Sequence, residues 1–257
     1  MDGETGDDGV VASRIHISPE EEAKRVGAGD VRELFRTPIL RRVTLCVWMV
    51  WLFSNTSYYG LTFLLPRYYG EFSHGRKEVV FVLTTIIGAS FVPASFVALS
   101  LCSEDRLGRV GTLKWSSLAT ALLIFAMAIF RKVPALFIPL SILTVECIAV
   151  PSIVKYVITP ELYTTKYRAV GLGSASVWTR LGGILAPVLA EVLFDKVGPF
   201  APLVVFGPTM ILTAIFAGMI PVETAGRKLD DDSWDRREPT VEMVGTEGAY
   251  SVPTADA

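Results

Sequence analysis

Residues 43–66 read Val43-Thr-Leu-Cys-Val-Trp-Met-Val-Trp-Leu-Phe-Ser-Asn-Thr-Ser-Tyr-Tyr-Gly-Leu-Thr-Phe-Leu-Leu-Pro66 and contain no charged side chain. About 20 predominantly apolar residues suffice for a helix to cross the roughly 30 Å hydrocarbon core of a bilayer. Working outward, the same pattern recurs. Val79 to Ser103 and Val197 to Val222 are uncharged, and Val110 to Phe130 carries only Lys114. Val133 to Ile158 holds Glu146 and Lys155, and Ala169 to Phe194 holds Arg180 and Glu191. The expected fold is all-α: a polytopic membrane helical bundle of six transmembrane helices.

Composition agrees. Of 257 residues, 51% are hydrophobic and 19% charged, against about 25% charged in ordinary soluble domains. The mean hydropathy is +0.45. These values exclude a disordered chain, and the net charge of −2 excludes a basic nucleic-acid-binding protein. The remaining charge crowds the ends, with 18 of 26 acidic residues in the first 41 or last 36 positions. Three segments follow: 1–41, an amino-terminal cytoplasmic segment; 42–222, the bundle; and 223–257, a cytoplasmic and mostly disordered tail with the acidic run Asp230 to Asp232. With six spans, 13 Lys and Arg residues of the loops and tails fall on one side and 6 on the other. Basic residues favour the cytoplasm, so both termini are expected there. The acidic start carries no secretory signal. Ser18 to Glu21 and Asp30 to Glu33 have the spacing of capping boxes, predicting short helices from Pro19 and Val31, the second feeding the first span.

Polar groups within the spans are the candidates for function. Trp48, Trp51, Asn55, Tyr59 and Thr62 follow one another by 3, 4, 4 and 3 residues, so they share one helix face. Lipid offers an asparagine amide no partner, so this face is expected to meet a cavity or a neighbouring helix. Glu146 and Arg180 lie on consecutive spans, each roughly 17 Å from the connection they share. At equal depth near the midplane, an ion pair or water in a central cavity relieves both charges. Gly173, Ser176, Gly183, Pro187 and Glu191 flank Arg180 on its helix. Lys155, about one turn from the end of its span, is expected to snorkel to the headgroups.

Chemistry of other kinds finds no support. No G-x-S-x-G, P-loop or H-E-x-x-H motif occurs. Cys46, Cys102 and Cys147 lie in or beside apolar runs without C-x-x-C spacing, and His16 and His74 are far apart. Neither catalysis, a metal nor a cofactor is implied.

The loops carry a family signature. Glu104-Asp105-Arg106-Leu107-Gly108-Arg109 resembles the D-R-x-G-R loop of the major facilitator superfamily. Thr159-Pro160-Glu161-Leu162-Tyr163-Thr164-Thr165-Lys166-Tyr167-Arg168, with Gly171 and Gly173 beyond it, resembles the P-E-[LV]-Y-P-T-x-x-R-x-x-G-x-G segment of its organic-ion and synaptic vesicle 2-related branches. Pro221 to Arg227 resembles the P-E-T-x-G-R ending, and Tyr58 to Leu61 and Arg180 to Gly183 also look like that group.

That resemblance implies helices seven to twelve of a twelve-helix transporter for a small solute, with alternating access between two bundles. It implies that Asp105, Arg106, Gly108 and Arg109 form a cytoplasmic latch, and that Glu161 and Arg168 join charge networks at the inner gate. Arg180, Glu146, Trp48, Asn55 and Tyr59 become the substrate-cavity candidates. The partners implied are the bilayer, a small solute, and a second six-helix half or a second copy of this chain; no nucleic acid is among them. The rival reading is a truncated, non-transporting membrane protein or scaffold. The chain departs from the family pattern at Val110, where a basic residue is usual, at Thr164, where proline is usual, and at Val145-Glu146 with Lys155.

Overall fold

The computed structural model describes residues 30–74, 76–89, 91–102, 107–165 and 167–225. Every regular element among them is helical: a 3-10 turn at Val31–Phe35, then α1 (Pro38–Phe72), α2 (Lys77–Ala89), α3 (Phe91–Leu101), α4 (Gly108–Ile129), α5 (Pro134–Glu161), α6 (Arg168–Lys196) and α7 (Ala201–Gly218). Together α2 and α3 make one span, Lys77–Leu101.

Five spans are long and apolar enough to cross a membrane by length and composition. The sixth, α1, is not among them, although its 35 residues give ample length. Its polar centre dilutes its hydropathy. Ser54, Asn55, Thr56 and Ser57 are all buried in the protein, where protein partners rather than lipid meet their hydrogen-bonding groups.

The helix starts follow local chemistry. Thr37 caps α1, its Oγ1 accepting from the Leu40 amide at 3.2 Å, and Pro38 occupies the first turn, where a missing N–H costs nothing. This cap also separates α1 from the turn before it. The helix expected from Val31 is therefore a single 3-10 turn that does not feed into the span. Asp30 Oδ1 accepts from Arg32 N at 2.9 Å instead of from Glu33. The pattern at Ser18 lies outside the described residues.

Order along the chain does not dictate packing. α6 packs chiefly on α1, α4 packs on α7 and α5, and the consecutive pair α5 and α6 meet sparingly. Two buried clusters divide the bundle along its length. One, around Val43, Trp51, Val154 and Tyr163, fills the end carrying the 3-10 turn and the segment after α7, here called the terminal side. The other, around Tyr68, Phe137 and Phe206, fills the opposite side. Aromatic pairs lock the latter, with Tyr68 5.2 Å from Phe137 and 5.3 Å from Phe194 between ring centroids.

Candidate functional site: an end cluster and an interior polar face

On the terminal side the three loop motifs converge. Gly108, which opens α4, has φ +70°, a left-handed conformation that glycine adopts without strain. A Cβ there would lie 2.9 Å from the Glu223 carboxyl carbon. The bare Cα lets that carboxylate reach the helix start. Glu223 Oε1 accepts from Arg109 N at 2.9 Å and Oε2 from Val110 N at 3.1 Å, and Thr224 N and Ala225 N also donate to Oε1. A carboxylate at a helix amino terminus satisfies open N–H groups and faces the positive end of the dipole. Arg109 Nε then lies 2.6 Å from Glu161 Oε2, to which Thr224 Oγ1 also donates at 2.7 Å. One carboxylate from α5 thus ties α4 to the segment after α7.

The connection from α5 to α6 is equally constrained. Arg168 Nε donates to the Pro160 carbonyl at 3.1 Å, and Tyr167 Oη to Glu33 Oε2 at 3.2 Å. Tyr163 is buried and donates to Thr44 Oγ1 at 3.3 Å. Burial pushes its hydroxyl up to about 12. Its ring lies where a Cβ on Gly171 would stand, 2.4 Å away, which gives the glycine of this motif a steric reason. Asp105 and Arg106 lie outside the described residues.

In the interior, the aromatic and amide face of α1 meets α6. Trp48 Nε1 donates to Ser174 Oγ at 3.1 Å, and its ring lies 5.4 Å from that of Trp178. Asn55 Nδ2 donates to the Trp51 carbonyl at 2.6 Å and to Thr179 Oγ1 at 2.9 Å. These two residues join helices. Tyr59, farther along the same face, is exposed.

Arg180 and Glu146 are not brought together. Among the described residues no ion pair joins them, so of the two arrangements expected from their shared depth the ion pair does not form. Equal depth aligned them along the membrane normal, but α6 turns toward α1. Arg180 is exposed, on the face of α6 that carries Val177, Leu181, Ile184 and Val188. Glu146 is half-buried on α5.

Lys155 reverses its expectation too. Instead of snorkelling it is 1% exposed, with Nζ donating to Ser54 Oγ at 3.2 Å. The rings of Trp51 and Tyr156 lie 5.4 and 5.9 Å from Nζ. Its side chain leaves the inner face of α5 toward α1, so the protein blocks the path to the headgroups. Sequence reasoning also missed Arg67. Its two Nη atoms lie 2.6 Å from Glu191 and 2.6 Å from Asp195, and its guanidinium lies 3.9 Å above Phe194. The i, i+4 spacing of those two acids was the available signal. This clamp joins α1 and α6 on the side opposite the Glu161 cluster.

Charge ties helices at both ends, buried polar groups stand between them, and no group of metal ligands occurs among the described residues. The family described as Sugar (and other) transporter matches residues 2–235. The chain belongs to this transporter family.

The chain is thus a member of the major facilitator superfamily, on the branch of the organic-ion and synaptic vesicle 2-related proteins. It is 31% identical to mouse solute carrier family 22 member 20 over 84% of this chain and 36% of that protein. It is 30% identical to pig organic anion transporter 3 over 87% of this chain and 40% of the relative. It is also 30% identical to the Xenopus laevis synaptic vesicle 2-related protein, over 87% of this chain and 43% of the relative. The chain thus spans about two fifths of the length of these family members.

Proposed function

We propose that this chain is the carboxy-terminal six-helix bundle of a secondary transporter for a small organic ion, facing a second six-helix bundle and holding both termini in the cytoplasm. The observation that carries the reading is uneven coverage. The second span is 12% buried and the fifth 22%, against 44–50% for the third, fourth and sixth. Apolar exposure alone suits lipid, but the fifth span also exposes Arg180. A charge at the centre of a span costs about 2.5–3.5 kcal/mol on insertion scales. A facing bundle with an aqueous cavity relieves that cost. The length of the relatives, well over twice that of the matched region, leaves room for such a bundle.

In this reading the solute sits near the midplane while the bundles rock about it. Arg180 attracts an anionic group, and Glu146 and Tyr59 line the cavity. Trp48 and Asn55 position the α1 wall by fixing it to α6. Gly108, Arg109, Glu161 and Arg168, with Asp105 and Arg106, form the inner latch. The excess of basic residues on the terminal side supports a cytoplasmic placement for that end.

Uptake of labelled benzoate and of labelled tetraethylammonium into proteoliposomes tests the reading, using the chain alone and co-expressed with the amino-terminal six helices of a matched relative. We expect uptake with the second bundle present, reduced about 10-fold or more by Arg180→Ala and Glu146→Gln through loss of a buried charge contact. Unchanged uptake in both variants overturns their roles. Absence of uptake with either arrangement favours a truncated, non-transporting scaffold.

A further inference from the structure

We propose that Arg32, Arg36, Arg41 and Arg42 form a docking surface for the phosphates of anionic phospholipids, in the leaflet that meets the terminal side of the bundle. The inference goes beyond solute transport and its test does not depend on transport. In a chain of net charge −2, residues 30–42 carry four arginines against two acids, Asp30 and Glu33. All four arginines are exposed. Arg41 and Arg42 directly precede the uncharged run that begins at Val43, so they stand where hydrocarbon gives way to headgroups.

The protein itself does little to neutralise these cations. Asp30 is turned to its own turn, its Oδ1 accepting from Arg32 N at 2.9 Å. Glu33 accepts from Tyr167 Oη at 3.2 Å and lies 4.0 Å from Arg36, whose side chain stays 72% exposed. Among the described residues no ion pair reaches Arg32, Arg41 or Arg42. The local field adds to the imbalance. Arg41 and Arg42 are the fourth and fifth residues of α1, whose first turn holds no acid. The amino-terminal end of a helix is the positive end of its dipole, where negative charge is favoured. Two cations at that end leave a positive potential that an anion from outside relieves.

Placement and chemistry select the anion. Leu34, fully buried, and Phe35, whose ring lies 5.5 Å from that of Trp48, pin the turn to the bundle. The backbone carrying Arg32 and Arg36 is thereby held beside the start of α1, and the four side chains share one rim at the membrane surface. A guanidinium presents paired N–H donors that match two oxygens of a phosphate. Clusters of four or more basic residues beside a transmembrane helix attract anionic headgroups, each residue adding about fivefold to the affinity.

Spin-labelled phosphatidylglycerol and phosphatidylcholine test this on the full chain in phosphatidylcholine nanodiscs. Electron paramagnetic resonance gives the ratio of their association constants at roughly 0.15 M salt. Phosphatidylglycerol is expected to be preferred about fivefold or more, and added salt to shrink the preference. The double variant Arg41→Gln/Arg42→Gln is expected to lose most of it, and Arg41→Lys/Arg42→Lys to keep much of it. Arg131→Gln/Lys132→Gln, on the opposite side of the bundle, should leave it largely in place. Without internal partners to lose, Arg41→Gln/Arg42→Gln should unfold in phosphatidylcholine at the same or a higher denaturant midpoint. A ratio near one, an equal loss in the Arg131 and Lys132 variant, or a destabilised Arg41→Gln/Arg42→Gln chain overturns the proposal. Displacement of phosphatidylglycerol by inorganic phosphate, beyond that by chloride at the same ionic strength, would assign the surface to free phosphate and overturn it as well.

Discussion

Two basic residues sit inside spans, and the bundle treats them oppositely. Lys155, about 9 Å from the end of α5, is sealed between α1 and α5 with a hydroxyl and two rings around it. Arg180, near the middle of α6, stands exposed on an apolar face. Hydropathy and depth favour the reverse arrangement, with the shallow residue escaping and the deep one buried. The difference teaches that position along a membrane helix sets depth, whereas the rotation of the helix against its neighbours sets environment. A lysine one or two turns from an interface snorkels only if its side chain points to lipid. The same contrast between a sealed and an open position recurs elsewhere in the bundle, and four measurements break or sharpen it.

The largest loss of stability is expected at the pair Gly171 and Gly173. A Cβ at Gly171 would meet the buried Tyr163 ring at 2.4 Å, while one at Gly173 meets nothing within 4 Å. Gly171→Ala should therefore destabilise the bundle by about 1–3 kcal/mol through overpacking. Gly173→Ala should be neutral or slightly stabilising, as expected of alanine within a helix. Denaturant unfolding in mixed micelles, monitored by circular dichroism, separates the two; equal effects would mean that Tyr163 does not occupy that space.

Next is the lysine–arginine pair itself. Replacing a buried, unpaired cation by an apolar side chain of similar volume is neutral or stabilising, by about 1–4 kcal/mol where the charge was poorly compensated. Lys155→Met should raise the unfolding midpoint, and Arg180→Met should shift stability by less than about 0.5 kcal/mol. A loss of stability in Lys155→Met would show that the lysine has a strong partner.

Asn55 and Tyr59 form the third pair. Asn55→Ala removes the bond to Thr179 and leaves a half-buried hydroxyl short of a partner, an expected cost of about 1 kcal/mol. Tyr59→Phe, at an exposed ring, should cost little in stability.

The smallest effect concerns the end ties. Arg67, Glu191 and Asp195 are all partly solvent-exposed, so Arg67→Gln should cost less than about 1 kcal/mol and lose most of that effect in high salt. Glu223→Gln, whose carboxylate accepts the first amides of α4, should cost about as much or somewhat more. Added salt should leave a larger share of that loss in place, because its hydrogen bonds are short-range. Equal salt sensitivity in the two variants would erase the distinction between a screened ion pair and a cap.

Much of this was legible in the residues. The uncharged stretches marked the helices, and Gly108, Arg109 and Glu161 were recognisable from loop spacing. Asn55 and Trp48 were placed on one face, which met a helix. The partners of Glu223 were not legible, because its carboxylate bonds amides more than a hundred residues away. Nor was Arg67, because an ion pair between α1 and α6 depends on which helices are neighbours. For the same reason no Glu146–Arg180 ion pair forms: equal depth on consecutive spans does not make two side chains neighbours.

By itself the sequence marked the apolar stretches that become helices and their approximate ends, because these depend on local composition and a fixed rise per residue. It also pointed to the family, through loop motifs in which Gly108 and Gly171 answer to steric contacts. Only the tertiary structure decided which helices touch, which face of each is sealed, and hence that Lys155 is interior and Arg180 exposed. The reason is physical. Helix rotation is set by the sum of many small packing contacts across the bundle, and no single stretch of residues contains that sum.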